Sequence, residues 1–144
     1  MVAIPAPLRA LIETGPLAHL VTVDADGAPQ VTVIWIGLDG DDIVSGHMNL
    51  SKKLRNVRRD PRVVISLEAP HTPGVFLAEH AVLRGTAVVE EGGAHALLTR
   101  LGHLYVSPEF TFPSADQIPG VPADSQGFIL RTTVDRITGV GPWV

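Results

Sequence analysis

The chain has 144 residues, 45% of them hydrophobic, with 15 acidic and 11 basic side chains, a formal net charge of -4 and no cysteine. That length and apolar content suffice for one core of ordinary domain size and exclude a disordered chain. The missing cysteine removes disulfides, thiolate metal sites, iron–sulfur ligation and thiol nucleophiles together. The acidic balance argues against a broad nucleic-acid surface.

The N-terminal MVAIPAPLRALIETG lacks the basic start and continuous apolar run of a secretory signal. The most apolar stretch, VTVIWIGL, falls far short of the ~20 residues that span a bilayer. A cytoplasmic protein with no membrane partner is the expectation.

In chain order, Leu8, Leu11 and Ile12 share one face and predict a short leading helix over 7–14. A strand follows at Leu17 to Val23, and Asp24-Ala-Asp-Gly27 turns the chain before Pro29. The next strand is read as Gln30 to Leu38, with Val31, Val33 and Trp35 on one side and Thr32, Ile34 and Ile36 on the other. Apolar residues on both faces predict a central or doubly covered strand. Asp39-Gly40-Asp41 turns again, and Ile43 to Ser45 returns.

Leu50, Leu54 and Val57 then recur at helical spacing, with Asn49 or Ser51 as the cap and Asp60-Pro61 as the stop. VVISLEA (63–69) reads as a strand. Val75 to Glu91 reads as one long or bulged strand, or two, with a bend or bulge at Gly85. Ala94, Leu97, Leu98 and Leu101 mark a helix. A final strand spans Gly127 to Thr133, its continuation through Ile137 left open. Between these lies a proline-bearing connection, residues 105–126, too long for a plain turn in one compact domain; it reads either as a functional segment or as a surface excursion or subunit-contact loop. The sum is one mostly antiparallel β domain, most simply a small barrel, with a few helices.

The segment HMNLSKKLRNVRRDPR (47–62) concentrates the positive charge. Both lysines and four of the nine arginines fall between Lys52 and Arg62. A strand feeding a capped helix presents free backbone N–H groups and the positive end of a helix dipole. Ser51, Lys52, Lys53 and Arg55 would add a hydroxyl and mobile charge suited to a phosphate; the competing reading is an exposed helical face. Arg58, Arg59 and Arg62 lie too far along to reach the same phosphate, and at least two should be solvated or paired with acids. No nucleotide-loop glycine pattern, HExxH or GxSxG is present. His95 and His103 would share a helical face only if that helix ran through Gly102. Trp35 is open between core filling and lining a flat aromatic cofactor. Chemistry carried by a bound cofactor fits this residue set better than catalysis by side chains, and no metal site or catalytic residue is assigned.

At this point LAHLVTVDADGAPQVTVIWIGLDGDDI (17–43), SKKLRNVRRDPRVVISL (51–67) and AVLRGTAVVEE (81–91) resemble the pyridoxamine 5'-phosphate oxidase-like split β-barrel proteins. The narrower likeness is to their F420-dependent actinobacterial branch. The resemblance implies a split β-barrel that binds FMN or the deazaflavin F420. Its phosphate would lie at Ser51, Lys52, Lys53 and Arg55, and its phosphate and ribityl chain along Ser45 to Asn49. There His47 and Met48 stand where flavin-binding relatives often have Thr-Asn. Thr32, Ile34 and Trp35 become candidates for the ring, the facing side undecided. The resemblance also implies a homodimer with cofactor sites at the subunit interface, Tyr105, Phe110 and Phe112 as cleft walls in trans, and Arg58 or Arg59 serving the polyglutamate tail of F420. The activity implied is reduction of a small conjugated or heterocyclic acceptor with reduced F420. The alternatives are an FMN oxidoreductase of the same fold or a non-catalytic F420 carrier; a haem-binding member is a remoter option with no clear axial histidine. No C-terminal basic segment matches pyridoxine 5'-phosphate oxidation.

Overall fold

The computed structural model describes residues 1–144 and builds the chain around one seven-stranded antiparallel sheet. Helix α1 (Ala6–Ile12) leads into β1 (Ala18–Val23), β2 (Pro29–Ile34), β3 (Gly37–Asp39) and β4 (Asp42–His47). Helix α2 (Lys52–Arg59), β5 (Arg62–Glu68), β6 (His80–Glu91), α3 (Ala94–Tyr105) and β7 (Phe128–Val140) complete it. The spatial order is β2-β1-β5-β6-β7-β4-β3. The two edge strands are therefore consecutive in the chain, joined only by Trp35 and Ile36. Laid flat, seven strands would separate those edges by about 29 Å. The link from Ile34 to Gly37 reaches about 11 Å at most. The sheet has to roll into a barrel.

This break corrects the reading of Gln30 to Leu38 as one strand. The backbone leaves one edge at Ile34 and enters the other at Gly37, and Tyr105 bridges the polar groups left between the two ladders. Its hydroxyl accepts from the Ile36 N–H at 3.1 Å and donates to the Pro16 carbonyl at 2.6 Å. Nor is β2 central. It is an edge whose outer face leaves Val31 58% and Val33 54% exposed, while Ile34 turns inward and is buried. The remaining expected elements form close to their predicted bounds, except that the strand expected from Val75 begins at His80. The 80–91 strand carries its register shift at Arg84/Gly85, where a Cβ on Gly85 would lie 2.0 Å from the Thr133 carbonyl oxygen. The last strand runs on unbroken to Val140.

The barrel core gathers alternate residues of the strands, among them Leu20, Ile65, Leu67, Leu83 and Leu130, with Leu8 and Ile12 of α1. Leu54 and Val57 of α2 join the same cluster, each burial contributing about 1.5–3 kcal/mol. No helix is long and apolar enough to cross a membrane.

Helix α2 is also held by a polar lock. The buried Asn56 amide donates to Thr22 Oγ1 at 3.1 Å, Asp24 Oδ1 at 2.9 Å and Gln30 Oε1 at 3.3 Å. Lys52 closes on the other Asp24 oxygen at 3.1 Å. These bonds hold the Asp24 carboxyl below its usual range, the Asn56 bond most and the Lys52 bond next. Replacing Asn56 with Ala leaves buried Thr22 short of a partner, and urea unfolding should register a loss of about 2–3 kcal/mol. A loss below half of that would show the lock to be incidental.

Candidate functional site

Where β4 ends, the chain runs from Gly46 to Ser51 along the wall of a cleft. Its polar end, about 250 Å³, is lined by His47, Met48, Asn49, Ser51 and Lys53, with Phe112, Ile118 and Val121 opposite. Its apolar end, about 270 Å³, is lined by Leu17, Val33, Ile34 and Trp35. Gly46, His47, Lys53, Leu98 and Phe112 border both ends, so the two form one continuous groove.

Local sequence explains each wall. Gly46 lets α3 lie directly on β4: a Cβ there would come 2.8 Å from Leu98 Cγ. Trp35, at the corner between the sheet edges, stacks on Tyr105 with ring centroids 5.2 Å apart and meets Phe110 edge-on at 6.1 Å. The 105–126 connection crosses back over α3. His95 Nε2 is hydrogen-bonded to the Phe112 carbonyl at 2.8 Å, His103 Nε2 to the Phe110 carbonyl at 2.9 Å, and the Phe112 N–H donates to Thr99 Oγ1. Helix α3 does run through Gly102, and both histidines on it fasten this connection. No group of three or more His, Asp or Glu side chains is placed to hold a metal ion.

The basic block divides sharply. Lys52 is committed to Asp24. Arg55 donates to the Leu50 carbonyl at 2.7 Å on the exposed side. Arg58 pairs with Glu91 at 3.7 Å and lies over the Phe128 ring, Arg59 donates to the Val23 carbonyl and to Asn56, and Arg62 pairs with Asp60 at 2.6 Å. The pairing of Arg58 and Arg62 with acids follows expectation; a tail-binding role for Arg58 or Arg59 finds no place, since neither lines the cleft. Lys53 alone of the six borders it. Burial disfavours its charged form and lowers its pKa.

Beside it, Ser51 occupies the N-cap position of α2 without capping the helix. Its carbonyl accepts from the Leu54 and Arg55 N–H groups, while its Oγ is buried with no hydrogen-bond partner. The Lys52 and Lys53 amides have no backbone acceptor. An ammonium, an orphaned hydroxyl and two free N–H groups thus sit in one turn, a donor set that fits a phosphate oxygen.

Of the ten residues expected at the site, Ile34, Trp35, His47, Met48, Asn49, Ser51 and Lys53 border the cleft. Thr32, Lys52 and Arg55 do not; the Thr32 hydroxyl is buried without a partner away from it. Phe112 walls the cleft from within the same chain, and Tyr105 and Phe110 back Trp35 instead of lining it. Gly46 lies inside the expected Ser45 to Asn49 run, whereas the sequence reading did not name Leu17, Val33, Leu98, Ile118 and Val121 for the site. Ile118 and Val121 belong to the 105–126 connection it singled out as a whole, and the helical spacing of Leu98 marked that residue for the core.

His47 stands where the two ends meet, its Nε2 hydrogen-bonded to the buried Ser45 Oγ at 2.8 Å. Burial, with the nearby Lys53 charge second, lowers its pKa to about 4. An unfolded histidine titrates near 6.5, so between those values the unfolded chain binds the extra proton. Stability should therefore fall as pH drops from 6.5 toward 4, this residue contributing at most about 3.5 kcal/mol. Urea unfolding of wild type and His47→Asn across that window isolates the contribution; parallel pH profiles would refute it.

The family model described as pyridoxamine 5'-phosphate oxidase matches residues 4–138. Among solved structures, an F420 reductase superposes with a TM-score of 0.73 at 24% identity, covering 94% of this chain and 98% of that one. A conserved hypothetical protein from Mycobacterium tuberculosis reaches 0.70 at 22% identity, over 96% and 85% of the two chains. HupZ of Group A Streptococcus reaches 0.65 at 18% identity, over 97% and 96%. At such identities these likenesses speak for the fold. No curated protein sequence matches. The rolled seven-stranded sheet is the split barrel, and the chain belongs to the pyridoxamine 5'-phosphate oxidase family.

Proposed function

We propose that the cleft binds the deazaflavin F420 and that the protein is an F420H2-dependent oxidoreductase reducing a small conjugated or heterocyclic acceptor. The observation that carries this reading is the desolvated Lys53 ammonium beside the unpartnered Ser51 hydroxyl, opening onto a groove that turns apolar toward Trp35. Lys53, Ser51 and the amides of the first turn hold the phosphate. The segment His47 to Asn49 runs beside the polyol chain. Trp35, Ile34, Leu98 and Phe112 form the slot for the ring and keep water from one of its faces. When bound in reduced form, the deazaflavin supplies the hydride. The likeness to an F420 reductase supports the choice of F420 over FMN.

The same reading includes a homodimer. The uncovered outer face of β2 exposes Val31 and Val33, and Leu17 beside them is 58% exposed. Leu17 and Val33 also belong to the apolar end of the cleft, so a second copy seated there would complete its wall.

The apo-protein titrated with F420 and with FMN, read by fluorescence quenching, should bind F420 with submicromolar affinity and FMN more weakly. Lys53→Met should weaken F420 about tenfold to a hundredfold, the worth of one charge-assisted bond. Lys52→Met and Arg55→Met should change it less than about threefold, because neither side chain borders the cleft. Equal losses in all three variants would return the site to a diffuse basic surface. Tight binding with no turnover on anaerobic mixing of reduced F420 with candidate acceptors would make the protein a carrier. Sedimentation should show a dimer that Val31→Asp converts to monomer; a monomeric wild type would exclude the shared cleft.

A further inference from the structure

The charge available at the polar end of the cleft can be counted. Five of the six cations in the 52–62 block are engaged elsewhere: Lys52 by Asp24, Arg55 by the Leu50 carbonyl, Arg58 by Glu91, Arg59 by Val23 and Asn56, Arg62 by Asp60. Lys53 contributes the one formal positive charge on the lining.

The lining has one other titratable side chain, His47. Around it stand Ser45 on its own strand, Lys53 from α2, Leu98 from α3, and Phe112, Ile118 and Val121 from the 105–126 connection. Its sheet neighbour on β7 is Phe128. The one ionised group facing His47 is therefore a cation, with apolar walls beyond it. The ring is held by Ser45 through Nε2, and Nδ1 has no protein partner. Burial first and the Lys53 charge second lower the pKa of His47 to about 4, so near pH 7 the ring is neutral.

A phosphodiester carries one negative charge near neutral pH. A phosphomonoester carries about −1.5 to −2, with its second pKa near 6. The second charge of a monoester would face one ammonium and an uncharged imidazole in a poorly solvated pocket, where an unmatched charge is costly. A proton on Nδ1 would match it, because a dianion beside the ring offsets both the burial and the Lys53 repulsion.

We propose that the anion end of this cleft is matched to a singly charged phosphodiester, and that it accepts a doubly charged phosphomonoester only together with a proton on His47. This rests on the cleft being the cofactor site and deepens that reading. F420 joins its tail through a phosphodiester, whereas FMN ends in a monoester. The discrimination is by charge count, which the shared polyol chain could not provide. His47 is then the residue that sets the preference, and Lys53 is required by both ligands.

Isothermal titration of the wild-type protein at pH 7.2, in buffers of different ionisation enthalpy, tests this without any variant. FMN binding should take up a proton, in a fraction approaching one per ligand, while F420 binding should take up none. His47→Asn should abolish the uptake and weaken FMN at least tenfold more than it weakens F420, the ratio of the two affinities being the readout; His47→Gln is the second variant should Asn disturb the fold. FMN binding without proton uptake, at an affinity equal to that of F420, overturns the charge-matching idea but leaves the cofactor site standing. Uptake that persists in both His47 variants places the proton on the phosphate and removes His47 from the proposal. Failure of both ligands to bind discards the site and this inference together.

Discussion

Two residues, Trp35 and Ile36, have to carry the chain from one edge of a seven-stranded sheet to the other, and the closure they impose organises the molecule. Closing the sheet puts inner faces together as a core and strands the backbone of the corner between two ladders. An unpaired buried peptide group is costly, so the Tyr105 hydroxyl that bonds both Ile36 and Pro16 is part of the closure. Because Tyr105 is the last residue of α3, the same contact brings that helix against β4 and stacks its aromatic ring on Trp35. The apolar end of the cleft is a by-product of how the barrel shuts.

The polar end has a separate origin. Helix α2 must be fixed before its first turn can bind anything, and Lys52 and Asn56 do that through Asp24 and the Thr22–Gln30 pair. Adjacent lysines therefore do opposite work. Successive positions on a helix point about 100° apart, so Lys52 turns back to the β1–β2 hairpin and Lys53 forward into the groove. The arginines farther along settle on carboxylates, carbonyls and one aromatic face. The clustering of charge that singles out this segment reflects many separate tethers and one free ammonium.

Around Arg131 on β7 a comparable concentration of charge ties strands together. Arg131 on β7 is bonded to Asp39 at 2.8 Å, Glu90 at 3.0 Å and Asp42 at 3.3 Å, so one guanidinium ties β3, β4 and β6 to its own strand. The hydrogen bond it donates to Asp39 is the leading reason its pKa is raised. The turn aspartates read only as turn formers also close the barrel rim. Partner geometry separates this cluster from the one at α2. Arg131 is surrounded by its acids, whereas Lys53 has none.

The alternation of apolar residues along the strands, the Leu50–Leu54–Val57 stripe and the Asp-Pro stop were legible because they depend on contacts between near neighbours in the chain. The family likeness was legible through the same local segments. Strand β2 misled, since its two apolar faces read as a central strand when one faces the core and the other lies open at an edge. Sequence by itself determined most of the elements, the barrel class and the strand-to-helix turn at Ser51 as the place to look for a site. Tertiary structure decided which lysine faces the cleft, which loop residues wall it and that Ser51 is left without a partner. Those outcomes turn on approaches between residues tens of positions apart, such as Lys52 with Asp24 and Leu98 with Gly46, and side-chain direction at such distances is set by packing that no local pattern encodes.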